Sequence, residues 1–123
     1  QGQGWELIAP IYMRAGRTGD AIAAQERAIR ILGSTSEREV VLGEYRRIAS
    51  GRITADSKAA FERALALDQK SAAALFYLGL EAEENGRPDD ARKFWSRLIE
   101  ITPGNDPWRI PAQRRLMLIE QRK

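Results

Sequence analysis

Residues 71–104, SAAALFYLGLEAEENGRPDDARKFWSRLIEITPG, decide the fold. Apolar residues recur at helical spacing on both sides of the Gly-Arg pair, whereas the alternation typical of a β-strand is absent. The Gly-Arg dipeptide occurs three times at intervals of 35 residues, at Gly16-Arg17, Gly51-Arg52 and Gly86-Arg87. A period of this length predicts a helical solenoid in which each repeat is one helix-turn-helix unit.

The period divides the chain into three repeats followed by a last helix. The repeats cover about residues 2–35, 36–70 and 71–104, and the last helix covers about 106–121. The repeat helices are predicted at Trp5–Ala15, Asp20–Leu32, Glu37–Ala49, Ala55–Leu67, Ala72–Asn85 and Pro88–Ile101. Because a terminal repeat needs a cover for its apolar face, the seventh helix is interpreted as a cap on a single domain, residues 1–123.

Residues that satisfy free backbone groups mark the predicted helix ends. Ser36 followed by Glu39 has the pattern of a capping box. Thr54 and Ser71 are good N-cap residues, and Pro88 suits a first helical turn. These signals agree with the boundaries that the repeat period predicts.

The predicted core combines small and aromatic residues. Close approach of two helices requires small residues, which here are Ala21, Ala28, Gly43, Ala64, Gly79 and Ala91. The space between helices is expected to be filled by large rings, those of Trp5, Tyr12, Phe61 and Trp95.

The composition argues against an enzyme. The chain has neither cysteine nor histidine, which removes thiol catalysis, the best zinc and haem ligands and the usual general base. Met13 and Met117 are unpaired and are assigned to packing or contact rather than to iron. Two clusters of carboxylates are explained by their places on helices. Asp89 and Asp90 favour a helix start, and Glu81, Glu83 and Glu84 are interpreted as solvent or groove charges. We predict no catalytic residue, metal, cofactor or small-molecule substrate.

The net charge of +3 is unevenly distributed. Residues 108–123 hold five cations and one carboxylate, a net +4, so residues 1–107 sum to −1. Scattered cations without stacking aromatic residues do not form a nucleic-acid footprint. No apolar run approaches the roughly 18 residues of a membrane span. We therefore predict a protein partner and no nucleic acid.

The three copies resemble the tetratricopeptide repeat, whose signature places an aromatic residue, Leu-Gly and Tyr on the first helix and Ala, an aromatic residue, Ala and Pro on the second. The second copy departs at Gln69, where the pattern has proline. The matching residues are Trp5, Ile8, Ala9, Tyr12, Ala21 and Ala28, then Leu42, Gly43, Phe61, Ala64 and Leu65, then Leu75, Leu78, Gly79, Ala82, Ala91, Trp95 and Pro103. The resemblance implies an all-α, right-handed solenoid of three helix-turn-helix repeats plus a C-terminal capping helix.

A longer run of matches, from Leu42-Gly43-Glu44 through residues 60–68 and 76–80 to Asp106-Pro107-Trp108, resembles the C-terminal domain of the CcmI (CycH) family. The family resemblance implies a periplasmic chaperone that holds the C-terminal helix of apocytochrome c and presents it to the haem-ligation complex. Members of that family carry N-terminal membrane helices. We therefore expect this chain to be a piece of a longer protein tethered to the inner membrane.

The concave side of such a solenoid is formed by the first helix of each repeat and suits an amphipathic helix or peptide. By repeat position, the residues expected to face it are Met13, Arg14, Val40, Glu44, Arg47, Phe76, Tyr77, Leu80 and Glu83. Packing of Phe76 and Tyr77 between repeats, with solvated charges beside them, is an equally weighted alternative.

Two other binding roles share this fold. A co-chaperone repeat domain clamps a C-terminal carboxylate with basic and amide residues, but the corresponding positions hold Glu6, Pro10, Glu44, Ala73 and Tyr77. A scaffold that assembles other proteins without any chaperone role shares the same fold and stays open.

Overall fold

The structure is a computed structural model and describes residues 1–122. It contains seven helices: α1 (Gly2–Arg14), α2 (Thr18–Leu32), α3 (Ser36–Ser50), α4 (Ala55–Leu67), α5 (Ala72–Glu84), α6 (Pro88–Ile101) and α7 (Arg109–Gln121). Among the described residues there is no strand. The all-α prediction is confirmed, and α7 begins three residues later than predicted because residues 107–108 form a turn. No helix within residues 1–122 has the length and apolarity that a bilayer crossing requires.

The helices stack in chain order as a solenoid. The most extensive contacts join α1 with α2, α3 with α4 and α5 with α6, the two helices of each repeat. The next most extensive join α2 with α3, α4 with α5 and α6 with α7, so each repeat packs on the following one and α7 packs on the last repeat. Each repeat therefore contacts its neighbours, as a solenoid requires.

Most predicted caps are confirmed. The side chains of Thr54 and Ser71 accept hydrogen bonds from the backbone N–H groups of Ser57 and Ala74. Pro88 occupies the first turn of α6. Gly51 and Gly86 both have a backbone φ of 75°, the left-handed conformation that glycine adopts without strain.

The capping box at Ser36 was wrong. Thr35 is the N-cap of α3, and its side chain accepts from the N–H of Arg38. The hydroxyl of Ser36 instead donates to the carbonyl of Ala64 at 2.9 Å, which ties α3 to α4. Glu39 is buried and pairs with Arg63 at 3.0 Å. Ser36 and Glu39 therefore form tertiary contacts with α4 instead of a local cap.

Two glycines bring helices into close contact, as predicted. A Cβ atom built on Gly43 would lie 2.6 Å from the Phe61 ring, and one on Gly79 would overlap the indole of Trp95. Phe61 and Trp95 are both fully buried. The first and second helices of these repeats therefore meet at a separation that only glycine allows.

Arg109 connects the last helix to the third repeat through two hydrogen bonds. Its Nη1 donates to the backbone carbonyls of Ile99 and Thr102, at 2.6 and 2.7 Å. These carbonyls lie at the C-terminal end of α6, where backbone acceptors have no helical partner. The same contact positions the preceding residue, Trp108, against α5.

Candidate peptide-binding groove

The nine residues predicted to bind a peptide lie on the first helices of the three repeats. Two are on α1, three on α3 and four on α5: Met13 and Arg14, then Val40, Glu44 and Arg47, then Phe76, Tyr77, Leu80 and Glu83. The structure brings four of them together, because Glu44, Arg47 and Phe76 contact Tyr77. We call Glu44, Arg47, Phe76, Tyr77 and Trp108 the tyrosine cluster.

Tyr77 links α5 to α3. Its hydroxyl donates to the carboxylate of Glu44 at 3.1 Å. The guanidinium of Arg47, one turn further along α3, lies 5.2 Å from the centre of the Tyr77 ring, a cation–π distance. The carboxylate of Glu44, the phenol of Tyr77 and the guanidinium of Arg47 therefore lie next to one another on the first-helix side.

Four aromatic rings pack around this place. The Tyr77 ring stacks on Phe61 with centroids 4.6 Å apart and meets Phe76 edge-on at 5.6 Å. The Trp108 ring lies 5.5 Å from Phe76 and 5.4 Å from Tyr77. Phe76 and Tyr77 are consequently only 9% and 8% exposed. Both rings are mainly core residues, and the partly exposed Trp108 covers them.

Arg47 carries an unusual donor. Its Nε is buried and has no hydrogen-bond partner among residues 1–122. Leaving a buried donor unsatisfied costs free energy. The donor lies beside the Tyr77 ring, at the junction of the second and third repeats.

Burial controls the protonation of the cluster. Desolvation raises the pKa of Glu44, and the hydrogen bond from Tyr77 and the charge of Arg47 oppose it. Burial and then the negative charge of Glu44 raise the pKa of Tyr77 to about 12. At neutral pH Tyr77 is therefore a neutral phenol that donates to Glu44.

We expect stability to fall at high pH through Tyr77. Because its folded pKa lies above the ordinary value of 10.0, the neutral phenol stabilises the fold below pH 10, and this contribution is lost as the pH rises through about 12. The urea midpoint should decline over that interval, and Tyr77→Phe should reduce the decline. Tyr12→Phe leaves the contact with Glu44 intact and should keep it. An unchanged decline in Tyr77→Phe would contradict the assignment.

The structure does not join the remaining predicted residues to the cluster. Met13 and Val40 are half-buried and Arg14 is exposed. Leu80 is half-buried and packs against the core. Glu83 turns toward α7, where it pairs with Arg115 and Arg122 at 3.4 and 3.3 Å.

Glu81 differs from its predicted role as a solvent or groove charge. It is buried and pairs with Lys58 of α4 and with Arg87, at 3.4 and 2.5 Å. The amide of Asn85 also donates to its carboxylate. Glu81 therefore links the second and third repeats.

Comparison with known proteins places the chain in a family. The tetratricopeptide-repeat family matches residues 46–106. A protein of Bradyrhizobium diazoefficiens, named cytochrome c-type biogenesis protein CycH, is 40% identical over 119 residues, or 96% of this chain. The CycH protein of Rhizobium meliloti is 42% identical over 87% of the chain, and that of Pseudomonas aeruginosa 37% over 90%. The chain is a tetratricopeptide-repeat domain of the CycH family.

This CycH-family chain spans 28–32% of the length of those relatives. A crystal structure of MamA superimposes with a TM-score of 0.81 at 24% identity, covering 98% of this chain and 67% of that one. A second crystal structure of the MamA protein gives the same TM-score and identity and is covered over 63% of its length. At that identity the likeness concerns the fold alone, and it confirms the predicted solenoid.

Sequence reasoning did not include Trp108 among the residues of the tyrosine cluster. It lies in the turn before α7, outside the periodic positions of the three repeats, and no repeat pattern assigns it a direction. The Asp106 carboxylate accepts a hydrogen bond from the Trp108 N–H at 2.8 Å and fixes the turn. The acidic residue two positions before Trp108 was therefore the sequence signal for this turn.

Proposed function

We propose that this chain is a client-binding domain in cytochrome c maturation that holds apocytochrome c by its C-terminal helix. The observation that carries the proposal is the family: relatives 37–42% identical over most of the chain are named cytochrome c-type biogenesis proteins. A tetratricopeptide solenoid supports a binding role rather than catalysis, because its first-helix side is an extended surface for a peptide.

The tyrosine cluster is the proposed centre of this surface. A client helix ends in backbone carbonyls without helical partners, and a cation near that end is favoured. Arg47 is half-buried and holds its guanidinium over the Tyr77 ring, where it can supply such a cation. Glu44 and Tyr77 hold the adjoining surface in place through their hydrogen bond.

Apolar side chains of the client would pack beside the cluster. Met13, Val40 and Leu80 are half-buried residues on the three first helices, so each retains surface for contact. Phe76 and Tyr77 contribute mainly as the rigid base under Trp108. The charged residue Arg14 is exposed at the end of α1, where it is proposed to set the register of the client.

The proposed handover follows from noncovalent binding. A surface without thiols holds the haem-binding cysteines of an apocytochrome without forming mixed disulfides, and the client is released intact to the haem-ligation complex. We propose that this takes place in the periplasm, with the full-length protein tethered to the inner membrane.

Calorimetric binding tests the proposal. A peptide spanning the C-terminal helix of an apocytochrome c is expected to bind with micromolar or tighter affinity, about −8 kcal/mol or better. The same peptide with a scrambled sequence and the folded holocytochrome should bind weakly, since one lacks the apolar face and the other hides it. Absence of binding, or preference for the holocytochrome, would favour a scaffold of mature partners.

Two matched variants locate the site. Arg47→Gln removes the guanidinium charge and should weaken peptide binding about tenfold, as expected for one interaction with a charged group. Arg30→Gln is the control, because Arg30 is exposed on α2 and forms no ion pair within residues 1–122. Equal affinities in the two variants would remove Arg47 from the site.

A further inference from the structure

A deep apolar groove lies on the opposite side of the solenoid, between the second helices of the second and third repeats. Helices α4 and α6 both pack on α5, whereas they do not pack extensively on each other. The gap between them is a cavity of about 680 Å³. Leu75 and Leu78 of α5 line its floor, and Leu65 of α4 and Phe94 of α6 line its walls.

The groove continues along the two helices. A second cavity of about 430 Å³ shares Leu78 and Phe94 with the first and extends toward Lys58 and Arg87. From Lys58 to Ala66, the last lining residue of α4, the helical rise gives a length of about 12 Å, or roughly two turns. A groove of these dimensions, floored by apolar side chains, matches the helix-in-groove mode of recognition.

The rims of the groove differ in charge. Lys93 and Arg97 lie one turn apart on α6, are exposed, and form no salt bridge within residues 1–122. By contrast, Lys58 and Arg87 at the far end are both paired with Glu81. The α6 rim therefore presents two uncompensated positive charges beside an apolar wall.

The α4 rim has the opposite character. It carries one carboxylate, Glu62, and the amide of Gln69 follows just beyond the end of the helix. Glu62 is exposed and forms no salt bridge within the described part of the chain. The charges of the two rims therefore decide which way a bound helix faces. Its acidic edge lies toward α6, and a neutral or basic edge lies toward α4.

We propose that this groove binds an amphipathic α-helix of a partner protein, with its apolar face on the half-buried Leu65 and Phe94 and its carboxylates on Lys93 and Arg97. The surface is formed by second helices and shares no residue with the tyrosine cluster. The domain can then hold a second partner while the first-helix side is occupied. This inference does not depend on the identity of the client proposed above.

Two synthetic peptides test the groove. Each has about 16 residues, long enough to cross it as a helix, with leucines at i, i+3, i+4 and i+7. One carries glutamates beside the leucines and the other carries lysines. We expect the acidic peptide to bind the 123-residue chain saturably and more tightly, and to shift amide NMR signals of α4 and α6 rather than those of α1 and α3.

Charge reversal provides the matched variants. The double substitution Lys93→Glu and Arg97→Glu should weaken the acidic peptide about tenfold or more and strengthen the basic one. Arg30→Glu with Arg52→Glu changes the net charge equally at exposed positions outside the groove and should leave both affinities unchanged. Because all four residues are exposed, equal thermal unfolding of the two double variants confirms that the fold is kept.

Several results would overturn the proposal. They are absence of saturable binding, equal affinity for the two peptides, amide shifts that gather on the first helices, and an acidic-peptide affinity that survives charge reversal. The client proposal is tested by a different peptide and by Arg47→Gln, so either proposal can fail while the other stands.

Discussion

Replacing Trp95 with alanine is expected to destabilise the chain by about 3–5 kcal/mol, the usual loss for a fully buried tryptophan. Trp95 has no exposed surface and is among the largest fully buried side chains. Its indole Nε1 donates to the carbonyl of Phe76 at 3.1 Å, and its ring lies 6.2 Å from that of Phe76. The substitution therefore removes apolar contact area and a buried hydrogen bond together, leaving a cavity between α5 and α6.

Urea unfolding followed by circular dichroism would measure this loss. Small domains are stable by about 5–15 kcal/mol, so Trp95→Ala should remove a large share of the free energy of unfolding and lower the urea midpoint clearly. Trp5→Ala is the control, because Trp5 is half-buried on α1 and its ring contacts Arg27 rather than the core. If both variants lost the same stability, Trp95 would not be the centre of the third repeat.

The repeat architecture was predictable because it repeats. Three Gly-Arg pairs 35 residues apart mark the turns, and Gly43 and Gly79 occupy similar places on the first helices, 36 residues apart. Close packing at these glycines depends on contacts within one repeat, between helices that a short turn already brings together. A pattern that is local in sequence is therefore sufficient to predict them.

The contacts of Trp108 within the tyrosine cluster depend on the seventh helix, and the repeat period does not predict them. Trp108 reaches Phe76 and Tyr77 because Arg109 fastens α7 to the end of α6. That docking is a tertiary event without a repeat period. For the same reason, sequence reasoning treated Phe76 and Tyr77 as open contacts with packing as the alternative, and the structure buries both rings.

The sequence pattern does not predict the groove between α4 and α6, for a different reason. Repeat positions assign residues to first or second helices, but the distance between two second helices depends on the angle between successive repeats. Leu65 and Phe94 look like ordinary core residues in the sequence, and both are only half-buried. An incompletely covered apolar residue becomes visible once the stacking geometry is known.

Replacing Gly79 with alanine is expected to destabilise the chain by about 2 kcal/mol, although alanine is the better helix former by about 1 kcal/mol. The added methyl group would overlap the Trp95 indole. That ring is rigid, fully buried and anchored by its hydrogen bond to Phe76, so it has no open space into which it can move. Overpacking therefore outweighs the gain in helix propensity, and α5 is pushed away from α6.

Gly4→Ala is the matched control, because Gly4 is also helical but an added Cβ there meets no atom within 4 Å. With no steric cost, propensity alone acts, and the variant should gain about 0.5–1 kcal/mol. The two Gly→Ala substitutions thus have opposite signs in one chain. Urea midpoints that rose in both variants would show that α5 and α6 can separate freely, and the close contact at Gly79 would then not hold the third repeat together.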